Sequence, residues 1–111
     1  MVELSPQQMR VLERLFAAGF RPIAIPPYEN ALCVRRGECA AVLAPMEGGG
    51  FRVQAPPSYL VEGNLSVRIQ REGRELFVWK KKELEATAGR RGELERFRDE
   101  LGALLAQGPP Q

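Results

Sequence analysis

Apolar and polar residues alternate on both sides of Glu72 and Gly73, and this pattern predicts a β-hairpin over residues 65–80. With Glu72 and Gly73 as a two-residue loop, each residue of the first strand has a fixed partner in the second. The expected pairs are Ser66 with Trp79, Val67 with Val78, Arg68 with Phe77, and Ile69 with Leu76. The four aliphatic residues of this set share one face, which we interpret as the core face.

The other face of the predicted hairpin carries Arg68, Phe77 and Trp79. Two interpretations of this face follow from the residue types. If a helix covers it, both aromatic side chains are ordinary core residues. If the face is open, it is a candidate protein-interaction face, because tryptophan and arginine are enriched among the residues that dominate binding energy.

Both ends of the chain carry the signals of amphipathic helices. Ser5 is a good N-cap, Pro6 suits the first helical position, Gln8 completes a capping box, and Gly19 fits the left-handed residue that ends a helix. A second helix, ending near Gly108, is predicted by apolar residues at helical spacing, namely Leu94, Phe97, Leu101, Leu104 and Leu105. Thr87 could cap this helix.

Two glycines bear on where the second helix begins. Gly89 and Gly92 weaken its first turns, which favours a start near Gly92 over one directly after Thr87.

Short alternating runs between the helices predict strands over residues 20–25, 31–35, 38–43 and 51–54, with residues 59–61 as a further short strand. Pro22 favours an edge position for the first of these strands. The predicted fold class is therefore α+β, with residues 1–111 as a single domain: an antiparallel meander of about five or six strands between two amphipathic helices.

Cys33 and Cys39 flank a predicted turn, and the length of its loop decides whether the two thiols can bond. With Arg36 and Gly37 as a two-residue loop, the cysteines lie on opposite faces and form no disulfide. With a three-residue loop that includes Arg35, they stand directly opposite each other. A cytoplasmic setting favours reduced thiols in either arrangement.

The residue composition argues against an enzyme. The chain of 111 residues has no histidine, which is the commonest general base and metal ligand, and its formal net charge is only +2. We therefore expect no catalytic residues, no metal and no cofactor.

No apolar run approaches the ~20 residues of a membrane span, and the N-terminal residues do not resemble a secretion signal, so we expect a cytoplasmic protein with no membrane partner.

Five basic residues form a candidate anion site. The group consists of Lys80, Lys81, Lys82, Arg90 and Arg91, and it would bind phosphate if these residues gathered at the start of the second helix. The competing interpretation is a solvated surface, since glutamates at positions 83, 85, 93 and 95 are interleaved with the cations.

The sequence as a whole favours a non-enzymatic protein-interaction or homodimerisation module, with Arg68, Phe77 and Trp79 as its interaction face. The alternative is a module that binds nucleic acid or another phosphorylated ligand through the five basic residues.

Overall fold

A computed structural model describes residues 4–25, 28 and 31–106. Its elements, in chain order, are α1 (Pro6–Ala17), β1 (Arg21–Ile23), β2 (Leu32–Arg36), β3 (Cys39–Pro45), β4 (Phe51–Val61), β5 (Asn64–Leu65), β6 (Val67–Arg71), β7 (Arg74–Trp79), β8 (Lys82–Glu85) and α2 (Ala88–Ala106). All paired strands are antiparallel. The strands form a five-stranded sheet in the order β1-β2-β3-β4-β5 and a three-stranded sheet in the order β6-β7-β8. The predicted α+β class is confirmed, and β8 is a strand that the sequence pattern did not predict.

Helix α1 begins and ends where the sequence indicated. The Ser5 hydroxyl accepts a hydrogen bond from the Gln8 backbone at 3.1 Å, while the Gln8 side chain accepts one from the Ser5 backbone at 2.9 Å. At the other end Gly19 has a φ of +95°, and the Phe20 backbone N–H donates to the Leu15 carbonyl at 3.0 Å. This reciprocal cap and left-handed glycine satisfy backbone groups that a helix otherwise leaves unpaired.

The five-stranded sheet has an apolar cluster on each face. The cluster under the helices unites residues of α1, α2 and both sheets, including Leu15, Phe20, Phe77 and Phe97. The cluster on the opposite face is smaller and consists of Ile25, Cys33, Ala40, Val42 and Leu60. Because strand residues alternate between faces, β2, β3 and β4 each supply residues to both clusters, and β3 is buried along most of its length.

Strand β4 accommodates two prolines through irregular pairing. Ala40 pairs with Ser58 and Val42 with Ala55, so Pro56 and Pro57 together oppose the single residue Ala41. Proline has no backbone N–H and is tolerated in a sheet at such a bulge or at an edge. The segment that the sequence left as extended or looped is therefore part of one strand of 11 residues.

The hairpin of β6 and β7 has the predicted register, with Val67 opposite Val78, Arg68 opposite Phe77 and Ile69 opposite Leu76. The assignment of its faces is wrong in part. Val67 is 66% exposed, whereas Phe77 is 1% exposed and stacks on Tyr59 with 5.0 Å between ring centroids. The Phe77 face packs into the main core because the three-stranded sheet lies with that side against β4 and the helices.

The turn between β2 and β3 differs from both predicted loops. Arg36 pairs with Cys39, so Gly37 and Glu38 form the loop, and Cys33 lies opposite Val42. Both cysteines are free and buried, and they belong to clusters on opposite faces of the sheet. The prediction of reduced thiols agrees with this geometry, although neither predicted loop was right.

Helix α2 begins at Ala88, earlier than Gly92. Thr87 accepts a hydrogen bond from the Arg90 backbone through its hydroxyl at 3.2 Å, and this cap outweighs the weak helix propensity of the early glycines. The predicted end near Gly108 lies outside the described residues. Of the two described helices, neither is both long and apolar enough to cross a bilayer.

Candidate interaction cleft

Strands β4 and β6 diverge from each other at Ser66. The chain first pairs back on β4 through β5, with Leu65 opposite Leu60, and then leaves it to form β6. The buried Ser66 hydroxyl donates to the Tyr59 carbonyl at 2.6 Å and so holds the chain against β4 directly before β6 begins. Beyond this point β4 presents Pro56 and Pro57, neither of which can donate a backbone hydrogen bond to a neighbouring strand. We call the space between residues 56–58 and residues 66–68 the β4–β6 cleft.

One side of the cleft is an apolar and aromatic groove of about 350 Å³. Ile25, Tyr28 and Trp79 line it, together with Pro56 of β4 and Val67 of β6. None of the described residues that line it carries a charge. We refer to it as the aromatic groove.

The other side of the cleft is a groove of about 400 Å³ under α2. Pro57, Phe77 and Leu94 give it apolar walls, while Arg68 and Arg98 place two cations at it. No acidic residue is among its described lining residues, so we refer to it as the basic groove. The cations are partly neutralised from outside the groove, since Arg68 donates to Glu75 at 2.8 Å and Arg98 lies 3.7 Å from the carboxylate of its neighbour in the chain.

Val67 lies between the two grooves and lines both of them. At 66% it is more exposed than the other large hydrophobic residues that the structure leaves at the described surface, which are Met9, Met46 and Val53 at 41–48%. A single exposed valine is unremarkable, but one flanked by two partly apolar grooves extends into a larger patch.

The backbone of β6 is also available at the cleft. Arg71 and Arg74 flank the two-residue loop and form a hydrogen-bonded pair, and such pairs alternate with non-bonded pairs along an antiparallel ladder. Val67 and Ile69 therefore bond to β7, whereas Arg68 and Gln70 direct their backbone groups to the free edge. No strand in the described part of the chain pairs with that edge.

The structure separates the three residues of the predicted interaction face. Arg68 lines the basic groove and the half-buried Trp79 lines the aromatic groove. Phe77 is a core residue that also lines the basic groove. Sequence reasoning missed Val67 and the proline pair, although two prolines within an alternating run are a signal of an unpaired strand edge.

The five predicted anion-binding residues do not assemble into one site. Lys80 and Lys81 form the turn before β8, while Arg90 and Arg91 lie in the first turns of α2, which follows the other end of that strand. A strand of four residues is about 13 Å long, which separates the lysine turn from the helix start. The lysine and arginine groups are thus held apart by β8.

Most of these cations also have partners within the chain. The Lys80 ammonium lies 4.9 Å from the centroid of the Trp79 ring, and the Lys82 ammonium lies 3.9 Å from Glu62. Arg90 donates to the Glu85 carbonyl at 2.8 Å, and Arg91 lies 3.6 Å from the Glu75 carboxylate. Through their contacts with Glu85 and Glu75, the two arginines hold α2 against the three-stranded sheet.

The two thiols are poor nucleophiles. Burial, together with the negative charge of Glu93, raises the pKa of Cys39 from 9.0 to about 12, and burial raises the pKa of Cys33 as well. A thiol must lose its proton to react or to bind a metal. Within the described residues, no three or more acidic, cysteine or histidine side chains group closely enough to hold a metal ion.

Comparison with known proteins adds no relative. The chain matches no protein-family model, and neither a curated protein nor a solved structure is significantly similar to it.

Proposed function

We propose that this protein is a non-enzymatic protein-interaction module and that the β4–β6 cleft is its contact surface. The observation that carries the proposal is Val67, a 66% exposed aliphatic residue placed between two partly apolar grooves. A partner that covered Val67 would bury apolar area on both sides of it, and that burial is the main favourable contribution to association.

The residue types around the cleft support the proposal. Trp79 and Tyr28 in the aromatic groove and Arg68 in the basic groove are of the three types most enriched among interface hot spots. Aromatic side chains also bind at a low entropic cost, since they have few rotatable bonds to fix. The proposal retains Arg68 and Trp79 from the sequence-based face and replaces Phe77 with Val67.

The state of the thiols is compatible with a binding role in the cytoplasm. Cys33 and Cys39 are buried, free and far from ionisation at neutral pH, so neither offers a nucleophile. Unpaired buried cysteines are ordinary in a reducing compartment. The partner is a different protein or a second copy of this chain.

Purified protein carrying Val67→Asp tests this proposal. The charge should leave the fold intact, because residue 67 is largely exposed, but it should weaken partner binding or self-association by about tenfold or more, because it puts a charged group where a partner would otherwise bury an apolar side chain. The matched control is Met9→Asp, at a residue of α1 that is 48% exposed.

Two measurements give the answer. Sedimentation equilibrium reports self-association, and titration calorimetry with a purified protein first captured from the source organism reports partner binding. Loss with Val67→Asp and retention with Met9→Asp supports the proposal. Equal binding by all three proteins, or a wild-type protein that is monomeric and captures nothing, overturns it.

A further inference from the structure

We infer that the β4–β6 cleft accepts an extended peptide whose side chains alternate between apolar and acidic, and that this peptide pairs with the free edge of β6. The inference rests on the proposed function, because it names the partner of the same surface. Backbone pairing, side-chain alternation and the charge of the two grooves each point to it.

The backbone argument concerns which of the two strands can accept a new neighbour. Arg68 and Gln70 direct their backbone N–H and carbonyl groups to the open edge of β6, where an added strand can pair with them. Across the cleft, Pro56 and Pro57 offer no N–H. The peptide therefore pairs with β6 and contacts β4 only through its side chains.

The side-chain argument follows from the geometry of a strand. Successive side chains of an extended peptide point in opposite directions, so a peptide in the cleft places alternate residues in the two grooves. The aromatic groove has no charged lining residue among those described and presents Ile25, Tyr28 and Trp79, so it suits aliphatic side chains. The positions in between face Arg68 and Arg98.

The charge argument selects the second kind of side chain. The basic groove has two guanidinium groups and no acidic residue among its described lining residues, so a carboxylate there is electrostatically complementary. Arg68 already donates to Glu75 through Nε and Nη2, whereas Arg98 lies 3.7 Å from Asp99 through Nε. Arg98 can therefore donate two parallel hydrogen bonds to a peptide carboxylate through its planar fork, and Arg68 contributes its remaining N–H groups. Both arginine side chains are accessible, at 46% exposure for Arg68 and 63% for Arg98.

The probe is a synthetic, end-capped hexapeptide that alternates valine and glutamate, and the reporter is Trp79. This is the single tryptophan of the chain, and it lines the aromatic groove, so its fluorescence reports occupancy directly. We expect a saturable change of Trp79 emission with the valine–glutamate peptide. The control peptide, which alternates valine and lysine, should bind about tenfold more weakly or not at all, since it places cations against the arginines.

Two variants separate the electrostatic and backbone parts of the inference. The double change Arg68→Gln and Arg98→Gln should weaken binding by about tenfold or more through loss of charge-assisted hydrogen bonds. Arg10→Gln with Arg52→Gln, at two exposed residues that line neither groove, changes the net charge equally and should bind as the wild type does. Gln70→Pro removes an outward N–H without removing a bond to β7, so it should reduce binding while the circular dichroism spectrum is kept.

The outcomes distinguish this inference from the proposed function. If the valine–glutamate peptide leaves Trp79 emission unchanged while a folded partner still depends on Val67, strand addition is wrong and the protein-interaction proposal stands. Equal binding of the glutamate and lysine peptides also overturns the inference. Self-association that depends on Val67 and is unaffected by the peptide identifies a second copy as the occupant and overturns it too. If neither peptide nor protein depends on Val67, both proposals fail.

Discussion

Cys39 shows how strongly its surroundings control the chemistry of one residue. Its side chain is fully buried beneath the helices, beside the charge of Glu93, and both factors disfavour the thiolate. Cys33 is equally hidden on the opposite face of the sheet, where burial again raises the pKa. The sequence identifies two cysteines near a turn, but their inertness depends on which strands and helices pack around them.

The raised pKa of Cys39 predicts a specific pH dependence of stability. Between pH 9.0, the ordinary pKa, and about 12, the folded-state value, the unfolded chain loses the thiol proton while the folded protein keeps it. The unfolded state then binds fewer protons, so stability falls as the pH rises through this window. Below pH 9.0 the contribution is fully present.

Urea denaturation of wild type and Cys39→Ala from pH 8 to pH 10.5 measures this effect. We expect the stability difference between the two proteins to change with pH in that direction, with the wild type losing more than the variant. Parallel pH profiles for both proteins would contradict the assigned pKa. Differences between the profiles are the relevant quantity, because other groups that titrate in this range are common to both proteins.

At the level of elements, the β6–β7 hairpin has its strand register and its core-facing side fixed by different interactions. The two-residue turn fixes the register, and Glu72 and Gly73 both adopt the positive φ angles that such a turn requires, at +53° and +77°. Which face becomes core is a separate matter. It is decided by the contact of β7 with β4 and by the stacking of Phe77 on Tyr59.

Alanine substitutions on the two faces test this orientation. Phe77→Ala should destabilise the protein by about 3–5 kcal/mol, because it leaves a cavity in the main core. Val67→Ala should change stability by less than about 0.5 kcal/mol, because the side chain is mostly in water. Chemical denaturation with a shared m-value gives both numbers. A larger loss of stability for Val67→Ala than for Phe77→Ala would show that the aliphatic face of the hairpin is the core face.

Across the whole molecule, Glu93 of α2 joins elements that are distant in sequence. Its carboxylate accepts a hydrogen bond from the Glu38 backbone at 3.2 Å, in the turn between β2 and β3, and one from the Tyr59 hydroxyl at 3.3 Å. Nearby, the Arg36 guanidinium lies 4.4 Å from the centroid of the Phe20 ring and pairs with Glu100 of α2. These contacts fix α2 over the five-stranded sheet and so set one wall of the basic groove.

Replacement of Glu93 should therefore change the pKa of Tyr59. Burial and the Glu93 charge both raise the pKa of Tyr59, so Glu93→Gln should lower it toward 10.0, the ordinary value, while a hydrogen-bonding group is retained. Ultraviolet titration of tyrosinate in a Tyr28→Phe background isolates the signal of Tyr59. Glu95→Gln, at an exposed residue of the same helix, is the matched control and should leave the titration unchanged. An unaltered Tyr59 titration in Glu93→Gln would contradict the contact.

Local interactions explain what the sequence by itself determined. The Ser5–Gln8 cap, the Gly19 terminus and the pairing of Val67 with Val78 involve residues close in the chain, so their signals are complete within short segments. The α+β class followed from the order of such segments. The start of α2 shows the limit, because the cap by Thr87 and the glycines of the first turns gave conflicting local signals.

Only the tertiary structure decided the faces, the strand pairing around the prolines and the candidate site. The cleft exists because β6 leaves β4 at Ser66, and it gains its second wall from α2, which is distant in the chain. No local pattern contains the relative placement of two sheets and a helix, since that placement is fixed by the simultaneous burial of residues such as Phe77 and Phe97. Local sequence specifies elements and their registers, whereas long-range packing determines which side chains are left to meet a partner.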